Sequence, residues 1–86
     1  MKAILHRSFR RQYAVLSVKI KTKFSERRDL FLADHLHPLL NNHPLSGKYQ
    51  NCRSINITGD YRAIYFSLNS ETAVFIAIST HAELYG

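Results

Sequence analysis

Residues 53–79 read RSINITGDYRAIYFSLNSETAVFIAIS, and the periodicity of this stretch decides the fold. Arg53, Ile55 and Ile57 alternate with Ser54 and Asn56, a period of two that predicts a strand with one buried face. Thr58-Gly59-Asp60 is a tight turn into a second strand, Tyr61 to Ser67. Leu68 to Glu71 is a further turn. It leads to a third strand, Thr72 to Ser79, apolar on both faces and therefore expected in the sheet interior. Strands joined by turns this short form an antiparallel meander.

Upstream the period lengthens. Ala3 to His6 predicts a short first strand, expected beside the last one. Phe9, Tyr13, Leu16, Ile20 and Phe24 recur every three or four residues, which predicts a helix from about Phe9 to Lys23 with one stripe facing the core. Ser25 followed by Glu26 is a helix-start signal, and a second helix is expected through Leu32 and Leu36. Pro38 cannot donate to a helical ladder, so that helix ends or kinks near His37. NNHPLSGK, residues 41–48, has loop chemistry. After the third strand, residues 80–86 leave the sheet carrying His81, Glu83 and Tyr85. The expected architecture is α+β: a short N-terminal strand, a two-helix hairpin, then the three-stranded meander, forming a single domain over residues 1–86.

Composition narrows the partners. The first 28 residues hold nine Lys and Arg against Glu26 alone, whereas the remainder hold three against five Asp and Glu, within a net charge of +6. Basicity concentrated at one end suits a polyanion, either nucleic acid or an acidic protein, although a solvated helix face also prefers Lys and Arg. The longest apolar run, Ala73 to Ile78, is far short of the roughly 18 residues a membrane span needs. Met1 to Arg7 lacks the apolar core of a secretory signal, and Cys52 has no partner for an internal disulfide. A cytoplasmic protein without membrane association is expected.

Three motifs in order carry a family resemblance: His43-Pro44-Leu45-Ser46-Gly47, then Asp60-Tyr61-Arg62 entering a strand, then Thr80-His81-Ala82-Glu83-Leu84-Tyr85. Together they resemble the RelE/ParE toxin superfamily, and in particular its YafQ and RelE/StbE branches, over roughly residues 43–86. The resemblance implies the toxin of a type II toxin–antitoxin system. It implies an endoribonuclease that cuts messenger RNA on the ribosome with side chains and no metal or other cofactor. A cognate antitoxin would hold it inactive in a hetero-oligomer. The ParE branch implies the alternative, a DNA gyrase poison with no nuclease chemistry.

RNA cleavage by the neighbouring 2′-hydroxyl needs a base, an acid and a cation facing the phosphorane. His81 and His43 match the family's tail and loop histidines, Asp60 a catalytic aspartate, and Tyr85 an aromatic tail position that stacks a base or packs on the domain. Arg62 sits on an apolar strand face, where an arginine needs either a carboxylate partner or a phosphate ligand. Other readings exist for each: His43 caps its loop, Asp60 binds backbone amides in its turn, and His81 is a structural surface histidine. Arg10, Arg11, Lys19, Lys21, Lys23, Lys48 and Arg53 are candidate RNA contacts, the helical ones forming one basic face. Asn56 departs from the YafQ pattern, which has a histidine there, and asparagine cannot shuttle protons. His35, His37 and His43 do not make a metal site, because residues two apart do not share a helix face. No helix-turn-helix spacing is present.

Overall fold

The computed structural model describes residues 1–85; Gly86, the last residue of the expected tail, lies outside the described residues. In chain order the elements are β1 (Lys2–Leu5), α1 (Arg7–Ala14), α2 (Val18–Ala33), a 3-10 turn (Pro38–Leu40), β2 (His43–Pro44), a second 3-10 turn (Gly47–Tyr49), β3 (Arg53–Asn56), β4 (Tyr61–Asn69), β5 (Thr72–Thr80) and α3 (His81–Tyr85). The strands form one sheet in the order β1-β5-β4-β3-β2. β3, β4 and β5 are the antiparallel meander, and β5 lies inside the sheet as its two apolar faces require. β1 pairs with β5 in parallel, Lys2 opposite Thr72 through Leu5 opposite Phe75. A parallel neighbour cannot be reached by a tight turn; the helix pair carries the chain from β1 to β2 at the far edge, and the following strands return it to β5.

The helices cover one face of the sheet. Phe9 from α1, Phe24 and Phe31 from α2, and Tyr65 and Phe75 from the strands are all buried in one aromatic core. Phe31 meets Tyr65 edge-on at 4.9 Å and Phe9 lies 5.0 Å from Phe24. Each such pair contributes about 0.5–1.5 kcal/mol beyond its buried area. The opposite face carries a smaller cluster of Ile64, Ala77 and Leu84, with Leu45, Tyr49, Cys52 and Ile76 packed against it.

Four local expectations change. The helix expected over residues 9–23 is broken at Ser17, whose hydroxyl accepts from the Ile20 amide at 3.3 Å and starts α2. Phe9, Tyr13 and Phe24 still reach the core, from two helices folded against each other, and Leu16 reaches it from the link between them. Ser25 lies within α2, and Glu26 pairs with Lys23 across one turn at 3.3 Å. The second helix ends at Ala33 because the Asp34 carboxylate takes the Leu36 amide at 3.2 Å, diverting the chain before Pro38. Residues 41–48 are not all loop: His43 and Pro44 pair with Ser54 and Arg53 as a short edge strand, where a proline is tolerated.

A bulge sits in β5. Ile64 faces Ala77 and Tyr65 faces Phe75, so Ile76 is an extra residue. The Ser8 hydroxyl donates to the Ile76 carbonyl at 2.7 Å. Phe75 and Ile78 both reach the helix-side core, while Ile76 and Ala77 lie with the opposite cluster. This change of parity turns Ser79 toward the face that carries Ile64 and Arg62.

Candidate functional site

The site is built where β4 begins and β5 ends. α3 starts with a capping box: the Thr80 hydroxyl accepts from the Glu83 amide at 3.2 Å, and the Glu83 carboxylate accepts from the hydroxyls of Ser79 at 2.7 Å and Thr80 at 3.0 Å. These bonds, the Ser79 hydroxyl foremost, hold the Glu83 carboxyl below its ordinary value. The His81 amide donates to the Asp60 carbonyl at 2.9 Å. One backbone bond thus joins the turn before β4 to the tail after β5, bringing Asp60 and His81 together. Both residues are exposed, and the Asp60 carboxylate has no hydrogen-bond partner among the described residues.

Arg62 lies opposite Asn56 on β3 and Ser79 on β5. Its Nη1 donates to the carbonyls of Thr58 at 3.0 Å, Gly59 at 3.2 Å and Tyr61 at 3.2 Å. No carboxylate pairs with it among the described residues, so the second reading of its position, an ion pair, is not what holds it. The turn carbonyls fix Nη1, and the other guanidinium nitrogens remain for a ligand.

Tyr85 is 39% exposed and its ring meets His81 at 4.7 Å, one helical turn away. On its other side Tyr49 meets it edge-on at 6.2 Å, and the Lys48 ammonium lies 5.4 Å from the Tyr49 ring centre. Lys48 is among the candidate contacts legible in the sequence; Tyr49, Ser79 and Glu83 join the site only in the fold. The spacing of Thr80 and Glu83 is a legible capping signal; nothing in the sequence shows that Tyr49 meets the tail.

His43 occupies the same face but stands apart. Two strand spacings and two residues put its Cα about 12 Å from that of Arg62. Its Nδ1 lies 2.8 Å from the Asn41 carbonyl, which can only accept, so Nδ1 donates there and Nε2 is left without a partner among the described residues. Arg53 is turned the other way. Its Nε donates to Asn42 Oδ1 at 2.6 Å, and the Asn42 amide also donates to the His35 carbonyl and the Tyr65 hydroxyl, each at 2.8 Å. Arg53 therefore ties β3 to the chain before β2 on the helix side.

The basic residues of the helices do not form one face. Arg10 and Arg11 belong to α1, Lys19, Lys21 and Lys23 to α2, and only Lys19 and Lys23 are one turn apart. Lys21 lies 5.5 Å from the Tyr13 ring centre and Lys23 pairs with Glu26. No group of three or more His, Cys, Asp or Glu is gathered in metal-binding proximity among the described residues. No helix among them is long and apolar enough to cross a membrane.

No family model matches the sequence, and no curated protein matches it. Solved structures do match in shape. YafQ from E. coli superposes with a TM-score of 0.80 at 19% identity, covering 99% of this chain and 98% of that one. A YoeB/ParE toxin from Agrobacterium tumefaciens gives 0.77 at 20% identity, covering 94% and 99%. A chain of the RelBE2 toxin–antitoxin complex from Mycobacterium tuberculosis gives 0.74 at 18% identity, covering 93% and 96%. The helix pair on a five-stranded sheet is the fold of these toxin structures.

Proposed function

We propose that this chain is the toxin of a type II toxin–antitoxin system, a cytoplasmic endoribonuclease that cuts messenger RNA on the ribosome. The observation that supports the reading is the 2.9 Å bond from the His81 amide to the Asp60 carbonyl, which joins the backbones of these two residues at the end of the sheet where Arg62 pairs with Ser79. An antitoxin partner is inferred from the likeness to YafQ and RelBE2, solved as the DinJ–YafQ and RelBE2 complexes.

In this reading the Asp60 carboxylate takes the proton of the 2′-hydroxyl. The 2′-oxygen bonds to phosphorus, the bond from phosphorus to the 5′-oxygen breaks, and the His81 imidazole gives a proton to the leaving oxygen. Arg62 holds the phosphorane oxygens with the nitrogens that the turn carbonyls leave unbonded. The products are a 2′,3′-cyclic phosphate and a 5′-hydroxyl. Tyr85, in edge contact with His81, holds the ring and offers a face to a base. His43 lies two strand spacings from Arg62 on the same face, so an imidazole and a guanidinium can approach one phosphate from opposite sides, and His43 is a second candidate base or acid.

One observation favours a second reading. Asn56 on β3 lies directly opposite Arg62 on β4, and its carboxamide cannot move protons. A ParE-like gyrase poison, which only binds, needs none there. Induction in bacteria without an antitoxin separates the two. New 5′-hydroxyl ends in messenger RNA are expected within minutes, with translation stopping before replication. His81→Ala should reduce cleavage by about 10²–10⁴-fold while remaining folded, since the side chain is exposed. Intact messenger RNA with an early failure of DNA synthesis overturns the nuclease and supports the gyrase poison.

A further inference from the structure

Beyond Tyr85, the second 3-10 turn supplies an aromatic ring that neither the core nor the proposed chemistry uses fully. Gly47, at φ +62, adopts a left-handed conformation that side chains disfavour, and the chain turns there to place Tyr49 against the tail. Tyr49 is half-buried on the cluster of Ile64, Ala77 and Leu84, so its ring is held from below. Its contact with Tyr85, at 6.2 Å and 89°, continues a ladder of rings that ends at His81. The Tyr49 hydroxyl makes no hydrogen bond among the described residues. The Lys48 ammonium rests over the ring.

We propose that Tyr49 is a nucleobase platform that forms, with Lys48, a subsite for single-stranded RNA one nucleotide removed from the reacting phosphate. The proposal rests on the RNA-cutting reading and deepens it. Displacing an exposed ammonium from a tyrosine ring costs about 2–5-fold in affinity. A base stacked in its place returns about 5–150-fold, so the exchange favours the base. The released Lys48 side chain, on the neighbouring residue, then meets the phosphate of the same nucleotide. Backbone charge and base face are engaged together, and neither contact reads a hydrogen-bonding edge. The subsite therefore accepts any base that stacks well.

The test uses the purified full chain and a 2′-O-methyl hexanucleotide carrying 2-aminopurine, which lacks the attacking hydroxyl and loses fluorescence on stacking. The unchanged protein is expected to quench the probe on binding. Tyr49→Leu, which keeps apolar packing, should bind about 10-fold or more weakly and abolish the quench. Tyr49→Phe should bind within about 2-fold of the unchanged protein, a rescue that loss of folding would not give. Lys48→Gln, on an exposed loop position, should keep the quench and lower the salt slope by about 0.7. The proposal is overturned if the unchanged protein does not bind, if Tyr49→Leu binds equally well, or if Tyr49→Phe fails to rescue. Tyr49-dependent binding without any cleavage of messenger RNA supports the subsite and removes the nuclease; cleavage with Tyr49→Leu binding unchanged does the reverse.

Discussion

Glu83 accepts hydrogen bonds from the hydroxyls of Ser79 and Thr80, and those bonds lower its carboxyl affinity for protons. The sign of the pH effect follows. A folded value below the unfolded one means the contribution is present above the ordinary glutamate range and is lost as pH falls through the lowered value. Glu83 is fully exposed, so the effect is local to α3 and does not threaten the fold. Hydrogen-exchange protection of the α3 amides should be lost on acidification before that of β5. Simultaneous loss in both elements would show that Glu83 does not anchor the tail. The capping spacing of Thr80 and Glu83 was readable in the sequence. The partner of the His81 amide was not, because Asp60 meets it only once β4 and β5 pair.

At the scale of elements, the decisive local group is the Ser17 hydroxyl. It bonds the Ile20 amide at 3.3 Å, so Ser17→Ala should cost about 1 kcal/mol and lower the melting temperature by about 4–8 °C. Ser25→Ala, inside α2, should change stability by less than about 0.5 kcal/mol. Urea unfolding of the two variants checks both; equal losses would remove Ser17 as the cap. Sequence periodicity identified the inward residues Phe9, Tyr13, Leu16 and Phe24 and missed the break between them. A stripe looks the same whether one helix carries it or two fold together, since only the cap and the ring contact of Phe9 with Phe24 distinguish the cases. The bulge at Ile76 was equally hidden, because a strand buried on both faces has no alternation for an extra residue to interrupt.

Across the whole molecule, the basic helices cover one face of the sheet while Arg62, Ser79 and the tail lie at the other. We expect Arg10, Arg11 and Lys19 to meet ribosomal RNA phosphates, leaving the tail free for the message. Lys21 and Lys23 are already engaged by Tyr13 and Glu26 within the chain. Reversing the charge of Arg10, Arg11 and Lys19 should weaken ribosome binding steeply at low salt and modestly at high salt. The salt slope should fall by about one unit per lost contact. Co-purification gives the contrary result its meaning: loss of an acidic antitoxin with ribosome binding retained would assign the helices to the antitoxin.

The sequence by itself determined the α+β class, the meander, the interior place of β5 and the inward residues of the helices. Each of these follows from the period of apolar residues along a short stretch of chain. It also placed His43, Asp60, Arg62, His81 and Tyr85 on turns, strand ends and a tail, because those motifs are local. Only the tertiary structure decided which of them meet. The bulge turned Ser79 toward Arg62, strand pairing joined Asp60 to His81, and register set His43 two strands away from Arg62 on the same face. The loop around Gly47 carried Tyr49 to Tyr85. These are contacts between residues distant in sequence, set by register and packing, and no period along the chain records them.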